Sequence, residues 1–296
     1  MKNLLAVLLA LALLVGFTPA FAAWQVVSQK ILPGSGHPES VAYDAQGLNL
    51  YMSNFGEAFK PTLKDGKGFI SKIDLKGKVV EAKFLPGPGD KLNKPKGLWV
   101  DKGRLWAADI DSVWCFDLKS KKGRRLALPQ AKFANDVAVA DGKLYVSDTS
   151  GGRVYLVQPA DFLEAEPKVR VMISPTGFHP NGLWPAPGGG VIMAAKKDLG
   201  GPGGLYQARD VGQMTQIRPD LGRLDGVAML KDGSYLYTDW AGHGLFLLSG
   251  GGEPVKLAGG FKGPADFALV PQGKGYLVVV PDLVTGEVHL IEIADK

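Results

Sequence analysis

The sequence predicts an all-β protein with the fold of a six-bladed β-propeller, and three observations lead to this fold class. The chain has 40 glycines and 20 prolines among 296 residues, a density that interrupts helices every few positions. A five-residue phrase recurs six times. Apolar runs separated by Asp-Gly and related pairs follow most of the phrases, and this arrangement is the strongest short-range signal for a β-hairpin.

The phrase begins with a fixed residue, often proline, continues with a polar and a small residue, and ends with two apolar residues. Its occurrences are Pro38–Ala42, Pro95–Trp99, Ala134–Ala138, Pro180–Trp184, Leu224–Ala228 and Pro264–Ala268. The second residues of successive phrases lie 57, 39, 46, 44 and 40 positions apart, which is about the length of one four-stranded blade. Six repeats therefore predict six blades around a central channel.

A second and a third strand are predicted after the phrases. Second strands end in the polar residues Asn54, Asp109, Asp148 and Asp239. Capping of turns is the common role of such residues at a strand end, and orientation of the channel residues is the alternative. Third strands are predicted over 68–74, 113–118, 153–158, 204–208, 244–249 and 287–293, and a short helical piece over 161–166.

The two ends of the chain complete the predicted ring. The sixth repeat has room for about three strands, whereas Trp24 to Ile31 is a strand-like stretch that precedes the first repeat. We expect this N-terminal strand to pair with the last blade, because closure leaves fewer open sheet edges. Residues 23–296 are therefore predicted to form a single propeller domain.

The first 22 residues have the features of a secretory signal peptide. Lys2 gives a basic start, residues 4–15 are an apolar run too short to span a bilayer comfortably, and Ala20–Ala22 is a small-x-small cleavage site. We expect cleavage between Ala22 and Ala23, a periplasmic or secreted protein, and no membrane span after cleavage. An uncleaved N-terminal anchor is the alternative.

Charge and cysteine content exclude several classes of function. The formal net charge is +5, and the densest basic group lies at 119–125 in a predicted turn. A nucleic-acid-binding protein more often has a basic stripe interleaved with aromatic residues, so no nucleic-acid partner is expected. Cys115 is the single cysteine, which excludes an internal disulfide and, in an apolar run, indicates a small buried residue.

The second residue of each phrase is expected to face the channel, because the first strand of a blade lines it. Around the ring these residues are Glu39, Lys96, Asn135, Asn181, Asp225 and Ala265. Two carboxylates and two carboxamides supply the hard oxygen donors that suit Ca²⁺. The residues therefore predict one divalent cation, with Ca²⁺ the best match, bound by Glu39, Asn135, Asn181 and Asp225.

Two other interpretations of this ring stay open. Polar residues beside a water-filled channel need no metal. Lys96 could pair with Glu39 and replace the charge of the metal, or its long stem could carry the ammonium group towards bulk water and leave the site free.

The phrases around His179–Leu183 and Leu224–Val227 resemble those of the senescence-marker-protein/gluconolactonase family, the regucalcin-like propellers, over the chain from about Val26 onward. This resemblance implies one divalent cation, commonly Ca²⁺, held by residues that match Glu39, Asn181 and Asp225. It also implies that Asp225 is the base or nucleophile in hydrolysis and that Asn135 touches substrate or metal.

The sequence departs from the family pattern at three places. Ser40-Val41 follows Glu39 where the family usually has Gly-Pro, and Phe133 stands where the lactonases have a substrate-binding arginine. Lys96 is not expected in the ring. These departures leave the specificity for a sugar lactone open.

Two functions follow. The first is an exported calcium-dependent hydrolase of a lactone or ester, with Asp225 as base or nucleophile and Asn135 and Lys96 holding the small-molecule substrate. Lys96 would also stabilise developing negative charge. The alternative is a non-catalytic NHL-like propeller that binds a protein, peptide or small ligand.

Overall fold

A computed structural model of the protein describes residues 24–34, 36–198 and 201–295. Over these residues the chain forms 24 β-strands. In chain order they are β1 (Trp24–Leu32), β2 (Pro38–Asp44), β3 (Asn49–Asn54), β4 (Phe69–Ile73), β5 (Val79–Leu85), β6 (Pro95–Asp101), β7 (Arg104–Asp109), β8 (Ser112–Asp117), β9 (Gly123–Ala127), β10 (Ala134–Ala140), β11 (Lys143–Asp148), β12 (Arg153–Gln158), β13 (Lys168–Ile173), β14 (Phe178–Pro185), β15 (Val191–Lys197), β16 (Gly203–Asp210), β17 (Gln213–Gly222), β18 (Leu224–Met229), β19 (Tyr235–Asp239), β20 (Gly244–Leu248), β21 (Val255–Gly259), β22 (Ala268–Gln272), β23 (Gly275–Pro281) and β24 (Val288–Asp295).

The strands form six four-stranded antiparallel sheets, numbered here as blades one to six. Blades one to five take β2–β5, β6–β9, β10–β13, β14–β17 and β18–β21 in turn, and blade six combines β22–β24 with β1. In blade six Trp24 lies opposite Asp295 and Leu32 opposite Val288. The six-bladed architecture and its closure by the N-terminal strand are therefore confirmed. The predicted signal peptide falls outside the described residues.

Apolar side chains of neighbouring blades pack together and form the core. Between blades two and three, for example, Trp106, Val137 and Tyr155 belong to one buried cluster, which also contains Cys115. Complete burial of a side chain of this size contributes about 1.5–3 kcal/mol. Burial raises the pKa of the Cys115 thiol to about 12, as expected for an unreactive core residue.

Residues 161–166 do not form the predicted helical piece; they are irregular and connect β12 to β13. Phe162 is fully buried. The guanidinium group of Arg124 donates to the carbonyl oxygens of Phe162 and Ala165 at 2.8 and 2.9 Å. The side chain of Arg124, from blade two, thus provides the hydrogen bonds that these two carbonyl groups would accept from backbone N–H groups in a helix. No described residue belongs to a helix that could cross a membrane.

A β-bulge interrupts the innermost strand of five blades at the same point of the phrase. In β2, Pro38 pairs with Asn54 and Val41 with Met52, so two residues stand opposite one. Equivalent shifts occur in β6, β10, β14 and β18. Because a bulge changes the direction in which side chains point, the second and third residues of the phrase both become available to the channel.

The polar residues that end the second strands tie each innermost strand to its neighbour. The carboxylate of Asp239 accepts backbone N–H groups of Arg223, Ala241 and Gly242 at 2.7–3.0 Å. Asp109 and Asp148 accept backbone N–H groups in the same way. Their role is therefore turn capping, the first of the two interpretations.

Candidate functional site

The bulges place the second residues of the phrases in the interior of the ring. Glu39, Asn135 and Asp225 are 5, 6 and 9 % exposed, and Lys96 is completely buried. Asn181 is half-buried. We call this group the polar ring. Its members lie close enough to hydrogen-bond or to change one another's pKa, as described next, whereas Ala265 adds no polar atom at the sixth position.

The carboxamides of Asn135 and Asn181 are in direct contact. Nδ2 of Asn135 donates to Oδ1 of Asn181 at 2.6 Å and to Oγ1 of Thr149 at 2.9 Å. Nδ2 of Asn181 donates to the carbonyl oxygen of Leu224 at 3.3 Å. Both N–H groups of Asn135 are thus engaged, and the carbonyl oxygen of its side chain is left as an acceptor.

The carboxylate of Asp225 is held by an indole. Nε1 of Trp240 donates to Oδ2 at 2.7 Å, and no other described residue forms a hydrogen bond with this carboxylate. Burial raises the pKa of Asp225 to about 6, against the lowering effect of the indole and of the nearby cations Lys196 and Arg223. The guanidinium of Arg223 lies 5.0 Å from the ring centre of Trp240. Asp225 is therefore largely ionised at neutral pH.

Glu39 is a buried carboxyl group with an unused oxygen. Among the described residues, nothing forms a hydrogen bond with its Oε2. Burial and then the charge of Asp225 raise the pKa of Glu39 well above its ordinary value, while Lys96 opposes the shift. A buried carboxylate without a partner is costly, so this group either keeps its proton or meets a cation.

The structure excludes one of the two interpretations of Lys96 and leaves the other in a weaker form, an electrostatic interaction with Glu39 without a close ion pair. The full burial of Lys96 excludes an extended position in bulk water, and it makes no close ion pair with Glu39 or with another described carboxylate. Instead Nζ donates to the carbonyl oxygen of Lys94 at 3.1 Å. Burial is the main cause that lowers the pKa of Lys96 to about 8, and the charge of Glu39 opposes this effect.

An aromatic side chain completes the surroundings of Lys96. Nζ lies 4.4 Å from the ring centre of Phe133, a distance at which a cation–π attraction compensates part of the lost hydration. Phe133 is the residue that the family resemblance predicts at the position of the lactonase arginine. The buried Lys96 of blade two and the aromatic side chain of Phe133, next to blade three, therefore lie together beside the polar ring.

The donor set of the polar ring suits a hard cation only in part. The described residues contain no group of three or more His, Cys, Asp or Glu side chains placed to hold a metal ion. The set predicted from the sequence has two carboxylates and relies on two carboxamides for its other donors. The unused oxygen of Glu39 fits a cation, whereas the charge of Lys96 opposes one. Calcium binding stays a prediction.

Sequence reasoning missed the third residues of the phrases. Oδ2 of Asp136 accepts the backbone N–H of Leu183 in the next blade at 2.5 Å, and Oδ2 of Asp266 accepts from Oγ of Ser40 at 2.6 Å. Gly97 makes room for Asp136, since a Cβ atom there would lie 1.9 Å from its Oδ1. The available signal was a polar residue at this position in three of the six phrases.

No family model matches the chain, and no curated protein matches it. Solved structures do. A gluconolactonase from Xanthomonas campestris is 13 % identical with a TM-score of 0.66, covering 91 % of each chain. A putative gluconolactonase is 16 % identical with a TM-score of 0.65, covering 94 % of each chain. Virginiamycin B lyase from Staphylococcus aureus is 12 % identical with a TM-score of 0.59, covering 90 % of this chain and 99 % of the lyase.

Together the blades and these likenesses define the class of protein: a six-bladed β-propeller with a polar ring in its channel. The resemblance to gluconolactonase-type propellers is supported by the fold. At these identities the likeness concerns the fold alone, because one propeller architecture serves many unrelated functions.

Proposed function

We propose that the protein is an exported, calcium-dependent hydrolase that acts on a lactone or ester bond. The observation that carries this proposal is that buried Glu39 interacts electrostatically with both an ionisable carboxylate, Asp225, and a buried ammonium, Lys96. A general base and a buried positive charge are groups that acyl hydrolysis uses. The fold likeness to gluconolactonases supports the same reaction class.

The cation in this proposal would be held by Glu39, Asn135, Asn181 and Asp225. The carbonyl oxygen of Asn135 and the unused Oε2 of Glu39 are the donors with the clearest capacity. When bound, a divalent cation would polarise the carbonyl of the substrate. Because Glu39 has a raised pKa, binding would release its proton.

Asp225 has the properties of the base. Its pKa of about 6 keeps it ionised at neutral pH and also makes it a stronger proton acceptor than an exposed aspartate. The Trp240 hydrogen bond fixes Oδ2 and leaves Oδ1 to take a proton from water. The hydroxide so formed adds to the carbonyl carbon, the C–O bond of the lactone or ester breaks, and the leaving alkoxide takes the proton that Asp225 removed from water. Direct attack by Asp225 is the other route.

Lys96 has the properties of an electrostatic stabiliser. With a pKa of about 8 its ammonium group is protonated at pH 7. Its full burial strengthens the interaction with negative charge that develops on the carbonyl oxygen. Asn135 has no N–H left for that oxygen, so in this proposal it accepts a hydroxyl group of the substrate or binds the cation.

The test is hydrolysis of a panel of lactones and aryl esters by purified mature protein, with calcium, with EDTA, and with calcium restored. Asp225→Asn should lower kcat by about 10²-fold or more, the ordinary contribution of a general base. Asp220→Asn is the matched control, because Asp220 is exposed and its φ of 56° suits asparagine. Activity that survives both EDTA and Asp225→Asn would reject the mechanism.

A non-catalytic propeller is the second candidate, and the observation that favours it is Phe133 in place of the lactonase arginine. The ammonium group of Lys96 lies 4.4 Å from the centre of the Phe133 ring. For this function we expect no hydrolysis of any substrate, a melting temperature that calcium does not change, and recovery of a specific partner from the periplasmic or secreted fraction.

The export proposed here is supported by the basic start, the apolar run and the small-x-small site within residues 1–22. Mass spectrometry of the protein from its native cell should find Ala23 as the first residue. A mature chain that begins at Met1 in the cytoplasm would reject export without affecting the hydrolase proposal.

A further inference from the structure

A cavity extends along the innermost strands from the third residues of the phrases, Asp136 and Asp266, towards the ends of these strands. Its volume is about 300 Å³, at the lower end of the range for small-molecule pockets. Apolar and aromatic side chains from several blades form its walls. Those that matter below are Val41, Leu98, Trp99, Trp184, Phe267 and Leu269.

Two indoles stand at the edge of this cavity. Trp99 and Trp184 are both half-buried, and their rings meet edge to face with centres 5.5 Å apart. They come from blades two and four and face each other across blade three. Indole rings beside an apolar wall attract organic cations, whereas a hydrated metal ion would find few oxygen ligands there.

Two carboxyl groups, Asp136 and Asp266, also line the cavity. Asp136 is 3 % exposed and accepts the backbone N–H groups of Val137 and Leu183 at 2.7 and 2.5 Å. Asp266 accepts from Oγ of Ser40 at 2.6 Å. A carboxylate has about four acceptor positions, so these contacts leave room for a further donor on each.

Neither carboxyl group has a positive partner. The cavity lining contains no lysine, arginine or histidine, and Asp136 and Asp266 form no salt bridge within the described part of the chain. Buried carboxylates are normally paired with a cation, and this pair lies beside an open apolar cavity.

We propose that this cavity binds a small organic cation, namely a primary amine with a hydrophobic group. The ammonium group lies at Asp136 and Asp266, and the apolar part packs against Trp99, Trp184 and Phe267. Charge complementarity selects an amine over an acid, and the carbon-rich walls select it over a bare metal ion. This site adjoins the polar ring, since the backbone N–H of Asp266 donates to the carbonyl oxygen of Glu39 at 3.1 Å, but the proposal does not depend on hydrolysis there.

The probe for the test is 2-phenylethylamine, compared at pH 8 with 2-phenylethanol and 3-phenylpropanoate, which have a similar apolar part and no positive charge. Two of the six tryptophans line the cavity, so tryptophan fluorescence reports binding, and calorimetry gives the stoichiometry. We expect saturable binding of one amine, with at least 10-fold weaker binding of the alcohol and no binding of the acid.

Asp266→Asn keeps an acceptor for Ser40 and removes the charge, so it should weaken amine binding at least 10-fold, while Asp220→Asn should leave it unchanged. Equal binding of the amine and the alcohol would overturn the proposal, as would full competition by millimolar Ca²⁺ or the absence of amine binding. The amine–alcohol comparison uses the unmodified protein, so the proposal stays falsifiable if the variant fails to fold.

Discussion

Replacement of Asp225 by asparagine should stabilise the metal-free protein, and the effect should depend on pH. The amide removes a buried charge and retains an oxygen that accepts from Nε1 of Trp240. Burial is the main reason why the pKa of Asp225 rises from 3.8 to about 6. The folded protein therefore binds a proton more tightly than the unfolded chain does, and its stability falls as the pH rises through this range.

The magnitude follows from the shift. A change of about two pKa units corresponds to about 3 kcal/mol in the free energy of unfolding. This cost is fully present above pH 6 and absent below about pH 4. Asp225→Asn should thus be up to about 3 kcal/mol more stable than the unmodified protein at pH 8, and the two should converge near pH 4. The substitution also removes a charge that raises the pKa of Glu39. This second effect also makes the variant more stable than the unmodified protein.

The assay is urea denaturation with EDTA at pH values from 4 to 8, followed by far-UV circular dichroism. Asp220→Asn is the control and should show no such trend. An Asp225→Asn protein that is less stable than the unmodified protein at pH 8, or a difference that does not change with pH, would refute the reasoning. If calcium binds as proposed, saturating calcium should stabilise only the unmodified protein, by about 2.7 kcal/mol at one hundred times the Kd.

Three further perturbations address other contacts. Lys96→Met keeps the length of the buried stem and removes the charge, so kcat for the proposed hydrolysis should fall at least 100-fold while the circular dichroism spectrum is unchanged; near-normal kcat would remove Lys96 from the mechanism. Trp240→Phe deletes the donor to Asp225, so the acidic limb of the pH–rate profile should move upward from about pH 6, and an unmoved limb would contradict the role of the indole. Asp136→Ala leaves the backbone N–H of Leu183 without its acceptor, which should cost about 1–3 kcal/mol in urea denaturation; an unchanged midpoint would show that this contact between blades is dispensable.

The overall architecture could be predicted from the sequence because it repeats. Each blade must bury its own apolar faces against its neighbours, so similar residues recur at similar spacing. The last repeat has room for about three strands, and one predicted strand precedes the first repeat. The pairing of this strand with the last blade was therefore predictable. The structure bears this out from Trp24 to Asp295.

The details of the channel could not be predicted in the same way. A regular strand sends neighbouring residues to opposite faces, so the sequence pointed to Asn135 and passed over Asp136. The bulge that brings both to the channel is visible only in the pairing of β10 with β11. The position of Lys96 was also missed, because the ring of Phe133 that receives its ammonium group lies in another blade.

The pairing of β1 with β24 has a consequence for biosynthesis. The two strands are the first and the last of the described strands, so the ring can be sealed only after β24 has left the ribosome, or, in an exported protein, the translocation pore. Contacts between such distant segments form slowly. Until that moment blade six has unsatisfied backbone groups along an edge, and a chain cut short by even one strand would keep that edge available for aggregation.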